Sequence, residues 1–126
     1  MNKLLKIDNI MYYVSDLDKS EAFYQDVLGL KKVWRDDQFK MVGFVFEESD
    51  AEIVIQSDPN LPKFDYSFLV KDVVAFCDEI KSKGYKVLVE PFDVRPGKYA
   101  VLADLDGNAI NIIDLTKFNG IPQFDK

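Results

Sequence analysis

Alternation of apolar and polar residues opens the chain. "IDNIMYYV", residues 7–14, alternates as a half-buried strand does, and "SDLDKSEAFYQDVLG" then switches to helical spacing and stops at Gly29. Within that helix Asp18 and Glu21 have capping-box spacing, Leu17, Phe23, Val27 and Leu28 form the apolar face, and Gly29 suits a left-handed C-terminus. Three short strands are predicted next, in "KKVWRDD", "FKMVGFVFEE" and "AEIVIQS". "DPNLPKF" carries two prolines in seven residues and reads as a linker.

Past the linker the order recurs: strand "DYSFLVKD", helix "VVAFCDEIKSKG", then strands "YKVLVEP", "KYAVLADLD" and "NAINIIDL". Val14-Ser15-Asp16-Leu17 matches Val70-Lys71-Asp72-Val73 at a constant offset of 56 residues, and the two helices close on Gly29 and Gly84. The pattern predicts a duplication, with unit one at about 7–57, a linker at about 58–63, unit two at about 64–115 and a tail at 116–126. The expected fold class is α+β: two tandem βαβββ units forming a concave, partly closed mixed sheet with helices outside. One helix covers one face of each unit's strands, so the other face needs cover or a ligand.

Period-two alternation assigns side chains to those faces. Ile10, Tyr12 and Val14 point under the first helix, and Tyr66, Phe68 and Val70 under the second. The opposite, concave face receives Asn9, Met11, Tyr13, Glu52, Val54 and Gln56 from the first unit's strands. Asp65, Ser67, Leu69, Ala109, Asn111 and Ile113 reach it from the second repeat. This mixture of apolar, amide and acidic groups has the character of a ligand wall.

Charge narrows the partners. Sixteen Lys and Arg against twenty-two Asp and Glu leave a net charge of −6, and no basic run interleaves with aromatics, so nucleic acid is not an expected partner. The acidic balance favours a cationic small molecule at long range. Cys77 is the one cysteine, which excludes an intrachain disulfide and a cysteine-clustered zinc site. It shares a helical face with Val73, Phe76 and Ile80 and reads as a buried packing residue. No apolar run is long enough to span a bilayer and the N-terminus lacks a secretory pattern. The expectation is a cytoplasmic protein with no membrane partner.

Two stretches resemble a known family. "VSDLDKSEAFYQDVLGL" is similar to the V-x-D-L-x-x-S-x-x-F-Y-x-x-x-L-G-L signature of the glyoxalase, bleomycin-resistance and extradiol-dioxygenase superfamily, also called the vicinal oxygen chelate fold. "LADLDGNAINIID" is similar to its D-P-D-G-N turn and strand, with Leu105 in place of the proline. Metal-dependent members hold a divalent cation with one ligand from the first and last strands of each unit. Carried over by that resemblance, the four places fall on Asn9, Val54, Asp65 and Asn111.

That set is poor in metal donors. Zinc, nickel and ferrous iron take imidazoles and carboxylates, and the chain has no histidine, so extradiol chemistry is not expected. Asp104 and Asp106 are read as turn residues of "DLDGN". No metal, no cofactor and no catalytic residue are therefore expected, although Asp65 and Glu52 are the carboxylates that could act as a base. The expected function is a metal-independent small-molecule-binding protein resembling the drug-sequestering bleomycin-resistance proteins. Its ligand would be cationic and aromatic, and the aromatic candidates for stacking on it are Trp34, Tyr13, Phe44, Phe46 and Tyr99. The expected cavity wall comprises Asn9, Met11, Tyr13, Trp34, Glu52, Val54, Asp65, Ser67 and Asn111. The alternative is a glyoxalase-type, metal-assisted lyase or isomerase acting on a small carbonyl compound. The resemblance also implies a homodimer.

Overall fold

The computed structural model describes residues 3–61 and 65–122, so residues 62–63 of the predicted linker and 123–126 of the tail lie outside it. The fold is α+β and mixed. Its elements run β1 (Lys6–Tyr13), α1 (Leu17–Ala22), β2 (Lys31–Asp36), β3 (Met41–Phe46), β4 (Ser49–Gln56), β5 (Tyr66–Leu69), α2 (Val73–Ser82), β6 (Val87–Asp93), β7 (Lys98–Ala103) and β8 (Ala109–Ile113). The chain divides into two compact units, one holding Asp8–Tyr66 and the other Ser67–Pro122 with the start of β1 through Ile7. Leu5 N–H accordingly donates to the Leu69 carbonyl at 2.8 Å.

In the first unit the strands lie in the order β2-β3-β4-β1. The β1/β4 pair is parallel and the β2/β3 and β3/β4 pairs are antiparallel. Asp16 caps α1, its carboxylate accepting from Lys19 N–H at 3.0 Å. The capping-box reading of Asp18 and Glu21 is thereby corrected, because both carboxylates turn outward to Arg35 of β2. Arg35 reaches Asp18 at 2.9 Å, Glu21 at 3.2 Å and Asp37 at 2.8 Å. These bridges sit at the water boundary, so Arg35→Ala is expected to cost about 1 kcal/mol. A urea-midpoint shift that shrinks as salt is added would report it.

After Ala22 the helix widens into a π-type turn, Phe23–Val27, in which Leu28 N–H donates to the Phe23 carbonyl at 3.1 Å. The added residue rotates the following side chains out of phase with ordinary helical spacing. Phe23, Val27 and Leu28, expected on the buried face, are instead 50%, 67% and 52% exposed. Tyr24 takes the inward place and stacks on Phe44 at 5.7 Å. The core under α1 is Val42, Phe44 and Ile55, with Val14, Leu17, Tyr24, Leu30 and Ile53 packed against it.

The second unit repeats the plan, with strand order β5-β8-β7-β6 and a parallel β5/β8 pair. Asp72 caps α2 as Asp16 caps α1, accepting from Ala75 N–H at 3.0 Å. Val73, Phe76 and Cys77 of that helix pack on Val70, Ala100, Leu102 and Ile112. Burial pushes the Cys77 thiol up from its ordinary range, with Glu90 adding to the effect, so this thiol stays protonated and packs as an apolar group. The "DLDGN" turn is self-bonded: Asp104 Oδ1 accepts from Asp106 N–H at 2.9 Å and Asn108 N–H at 2.8 Å, with Gly107 at φ +87°. Hydrogen bonds from Asn108 hold the Asp104 carboxyl below the usual range. Among the described residues no helix is long and apolar enough to cross a membrane.

Candidate functional site

Strand register builds the face of the first unit that lies opposite α1. Trp34, Gly43, Val54 and Met11 are successive partners across β2, β3, β4 and β1. Val45, Glu52 and Asn9 make the adjoining row, and Met41, Gln56 and Tyr13 the row on the other side. Alternation had placed Asn9, Met11, Tyr13, Glu52, Val54 and Gln56 together, and in the structure they share this face. Val33, Trp34 and Val54 form its apolar floor, with Met11, Met41 and Val45 packed alongside.

Trp34 is the organiser of that floor. A bulge in β2 between Lys32 and Trp34 turns the indole onto Gly43, where any Cβ would collide with its ring. The indole is only 6% exposed, and its Nε1–H donates to Glu52 Oε1. Trp34 thus fixes a carboxylate on a largely apolar surface. Phe44, offered for ligand stacking, is buried on the α1 side against Tyr24, whereas Tyr13 and Phe46 are 47% and 40% exposed. The neighbouring Asn9 is 6% exposed; its Nδ2 donates to Asp8 Oδ2 at 2.9 Å, and its Oδ1 has no hydrogen-bond partner among the described residues.

The face of the second unit opposite α2 carries Ser67, Tyr99, Val101 and Asn111. Asn111 pairs with Val101, and Tyr99 with Phe92, whose ring lies 5.5 Å away. Ser67 Oγ and Tyr99 Oη share a hydrogen bond, and both residues are buried, at 1% and 4% exposure. Asn111 is buried as well, at 8%. Asp65 is exposed, and its carbonyl accepts from Met11 N–H at 2.9 Å. The Gly43 contact and the Trp34–Glu52 and Ser67–Tyr99 bonds escaped sequence reasoning. A strand glycine opposite the one tryptophan was the available signal.

These residues do not fit the divalent metal that the superfamily resemblance implies. Val54 has no donor atom and lies in the apolar floor, Asn9 is a neutral amide tied to Asp8, and Asp65 is exposed. Among the described residues no three His, Cys, Asp or Glu side chains gather as a metal-holding group. A site with so few anionic or imidazole donors is weak for zinc, nickel or iron.

Comparison with known proteins places this geometry in a family. The chain is 34% identical to a protein named probable lactoylglutathione lyase from Synechocystis, over 82% of this chain and 90% of that protein. It is 30% identical to lactoylglutathione lyase from Haemophilus influenzae, over 87% of this chain and 93% of that one. Among solved structures, methylmalonyl-CoA epimerase from Mycobacterium tuberculosis superposes with a TM-score of 0.66 at 20% identity, covering 88% of each chain, a likeness of fold. Relatives named as lyases overturn the expectation of a drug-sequestering module resembling the bleomycin-resistance proteins. The scarcity of metal donors among the described residues, which led to that expectation, does not choose between sequestering and turnover. Residues 6–112 match the model of the Glyoxalase/Bleomycin resistance protein/Dioxygenase superfamily, and the chain belongs to that superfamily.

Proposed function

We propose that this protein is a glyoxalase-type isomerase or lyase acting on a small carbonyl compound, its substrate the adduct that a thiol forms with that carbonyl. The observation carrying the reading is the 34% identity, over 82% of this chain, with the probable lactoylglutathione lyase of Synechocystis. The site contributes a carboxylate suited to the chemistry. Glu52 lies on an apolar floor, oriented by the Trp34 indole, where a carboxylate can take a proton from carbon beside a carbonyl and return it to the neighbouring carbon. The carbon–hydrogen electron pair passes into the enediol and back, and the hydroxyl proton moves to the former carbonyl oxygen. No oxidant or reductant is needed. Val54 and Met11 exclude water from the same surface.

The test substrate is the adduct of glutathione with methylglyoxal, which is an isomer of lactoylglutathione. Wild-type protein is expected to accelerate thioester formation, and Glu52→Gln to lower kcat by about 100-fold or more with KM little changed. Wild-type rates equal to the buffer blank would refute the reading. We also read the protein as a cytoplasmic homodimer. The exposed Phe23, Val27 and Leu28 supply apolar surface that a second copy would cover.

A further inference from the structure

The buried amide of Asn9 is incompletely satisfied among the described residues. Its residue is 6% exposed, its Nδ2 is engaged by Asp8 at 2.9 Å, and its Oδ1 meets no donor among the described residues. That bond to Asp8 also fixes which end of the amide is the oxygen. A buried acceptor without a donor lowers stability, and such groups are uncommon unless a ligand or water completes them. Asn9 is the register partner of Glu52, so the orphaned oxygen shares a face with the carboxylate fixed by Trp34. Val54, one residue pair along, contributes only hydrocarbon.

We propose that Asn9 Oδ1 is the acceptor for a hydroxyl group of the substrate, taking its O–H hydrogen bond directly where the resemblance would have placed a metal ligand. The assignment rests on the reading of the preceding section and deepens it. When a thiol adds to an aldehyde, the carbon that must lose a proton acquires a hydroxyl. An acceptor beside Glu52 holds that hydroxyl and presents the adjacent C–H to the carboxylate. The amide accepts without carrying charge, so it binds the hydroxyl without competing for the proton.

Asn9→Leu tests the assignment, because leucine keeps the branched heavy-atom skeleton of asparagine and has no orphaned acceptor. The variant is expected to melt about 3 °C or more above wild type. With the glutathione–methylglyoxal adduct its KM is expected to rise about tenfold or more. Asn9→Ala removes the same oxygen without adding branched bulk and carries the same KM expectation. Melting of Asn9→Leu below wild type would show that the amide is structural and overturn the proposal, and so would an unchanged KM in both variants. If wild-type protein fails to turn over this adduct, the functional reading falls by itself. The melting comparison then decides the Asn9 assignment: a higher midpoint supports an acceptor reserved for a ligand, and a lower one overturns it.

Discussion

Asp114→Ala is expected to lower stability by about 4 kcal/mol, a large share of the roughly 5–15 kcal/mol that holds a domain folded. Asp114 is completely buried at the end of β8, yet its carboxylate is fully used. Oδ2 accepts from Val73 N–H, the first residue of α2, at 2.8 Å. Oδ1 accepts from Lys98 N–H at 2.9 Å, Thr116 N–H at 3.1 Å and Thr116 Oγ1–H at 2.7 Å. One side chain therefore joins the start of a helix, the start of β7 and the chain beyond β8. Alanine would strand these donors, each at about 1–3 kcal/mol where water cannot replace the oxygen. The melting midpoint should fall by roughly 15 °C. Asp114→Asn retains one acceptor oxygen and should lose about half as much. A loss below about 1 kcal/mol for the alanine variant, in urea unfolding, would show that the brace is replaceable by solvent.

Gly97 belongs to the same brace. A Cβ there would lie 2.7 Å from the Asp114 carbonyl and 2.9 Å from Thr116 N, so the loop before β7 passes too close for any side chain. Nothing in "RPGKY" announces that proximity, because the crowding comes from residues far along the chain. The legible features were those set by local chemistry: the duplicated V-x-D-L/V junctions from strand to helix, the strand alternation and the glycine at each helix end, whereas the first cap lies at Asp16 and not at the Asp18–Glu21 pair. Asp16 and Asp72 cap because a carboxylate one residue before the first turn can accept from an N–H three residues on. The misread part of α1 failed for a local reason of another kind. Constant helical spacing would turn Phe23, Val27 and Leu28 inward, and one wide turn leaves them outward and Tyr24 inward. The rows of side chains on the face opposite α1 were readable by parity along each strand. Which residue touches which was not, because register and the β2 bulge are set by pairing between strands. The chemical reading failed differently. It rested on the shortage of metal-donor residue types, and such a shortage does not separate sequestering from turnover.

Gly43→Ala is expected to cost about 3 kcal/mol, although it adds one methyl group to an ordinary strand position. Its Cβ would come within 2.8 Å of Trp34 Cδ1 and nearer still to Nε1. Gly43 lies in the middle of β3 between Trp34 and Val54, with both neighbouring strands hydrogen-bonded to it, so the backbone has little room to retreat. The indole must move instead, which opens the apolar floor and breaks the bond to Glu52. Trp34 is the chain's one tryptophan, so its emission reports the change without a label. Emission should shift to the red as the displaced ring meets water, and under the proposed function turnover of the glutathione–methylglyoxal adduct should fall as Glu52 loses its orientation. A double-mutant cycle separates this account from a general strand defect. In a Trp34→Ala background the obstructing ring is gone, and the Gly43→Ala penalty should shrink by about 1 kcal/mol or more. Additive losses would mean that the glycine serves the strand rather than the indole. Coupled losses with a red-shifted spectrum would establish that one absent methyl group holds the tryptophan, and through it the carboxylate, in place.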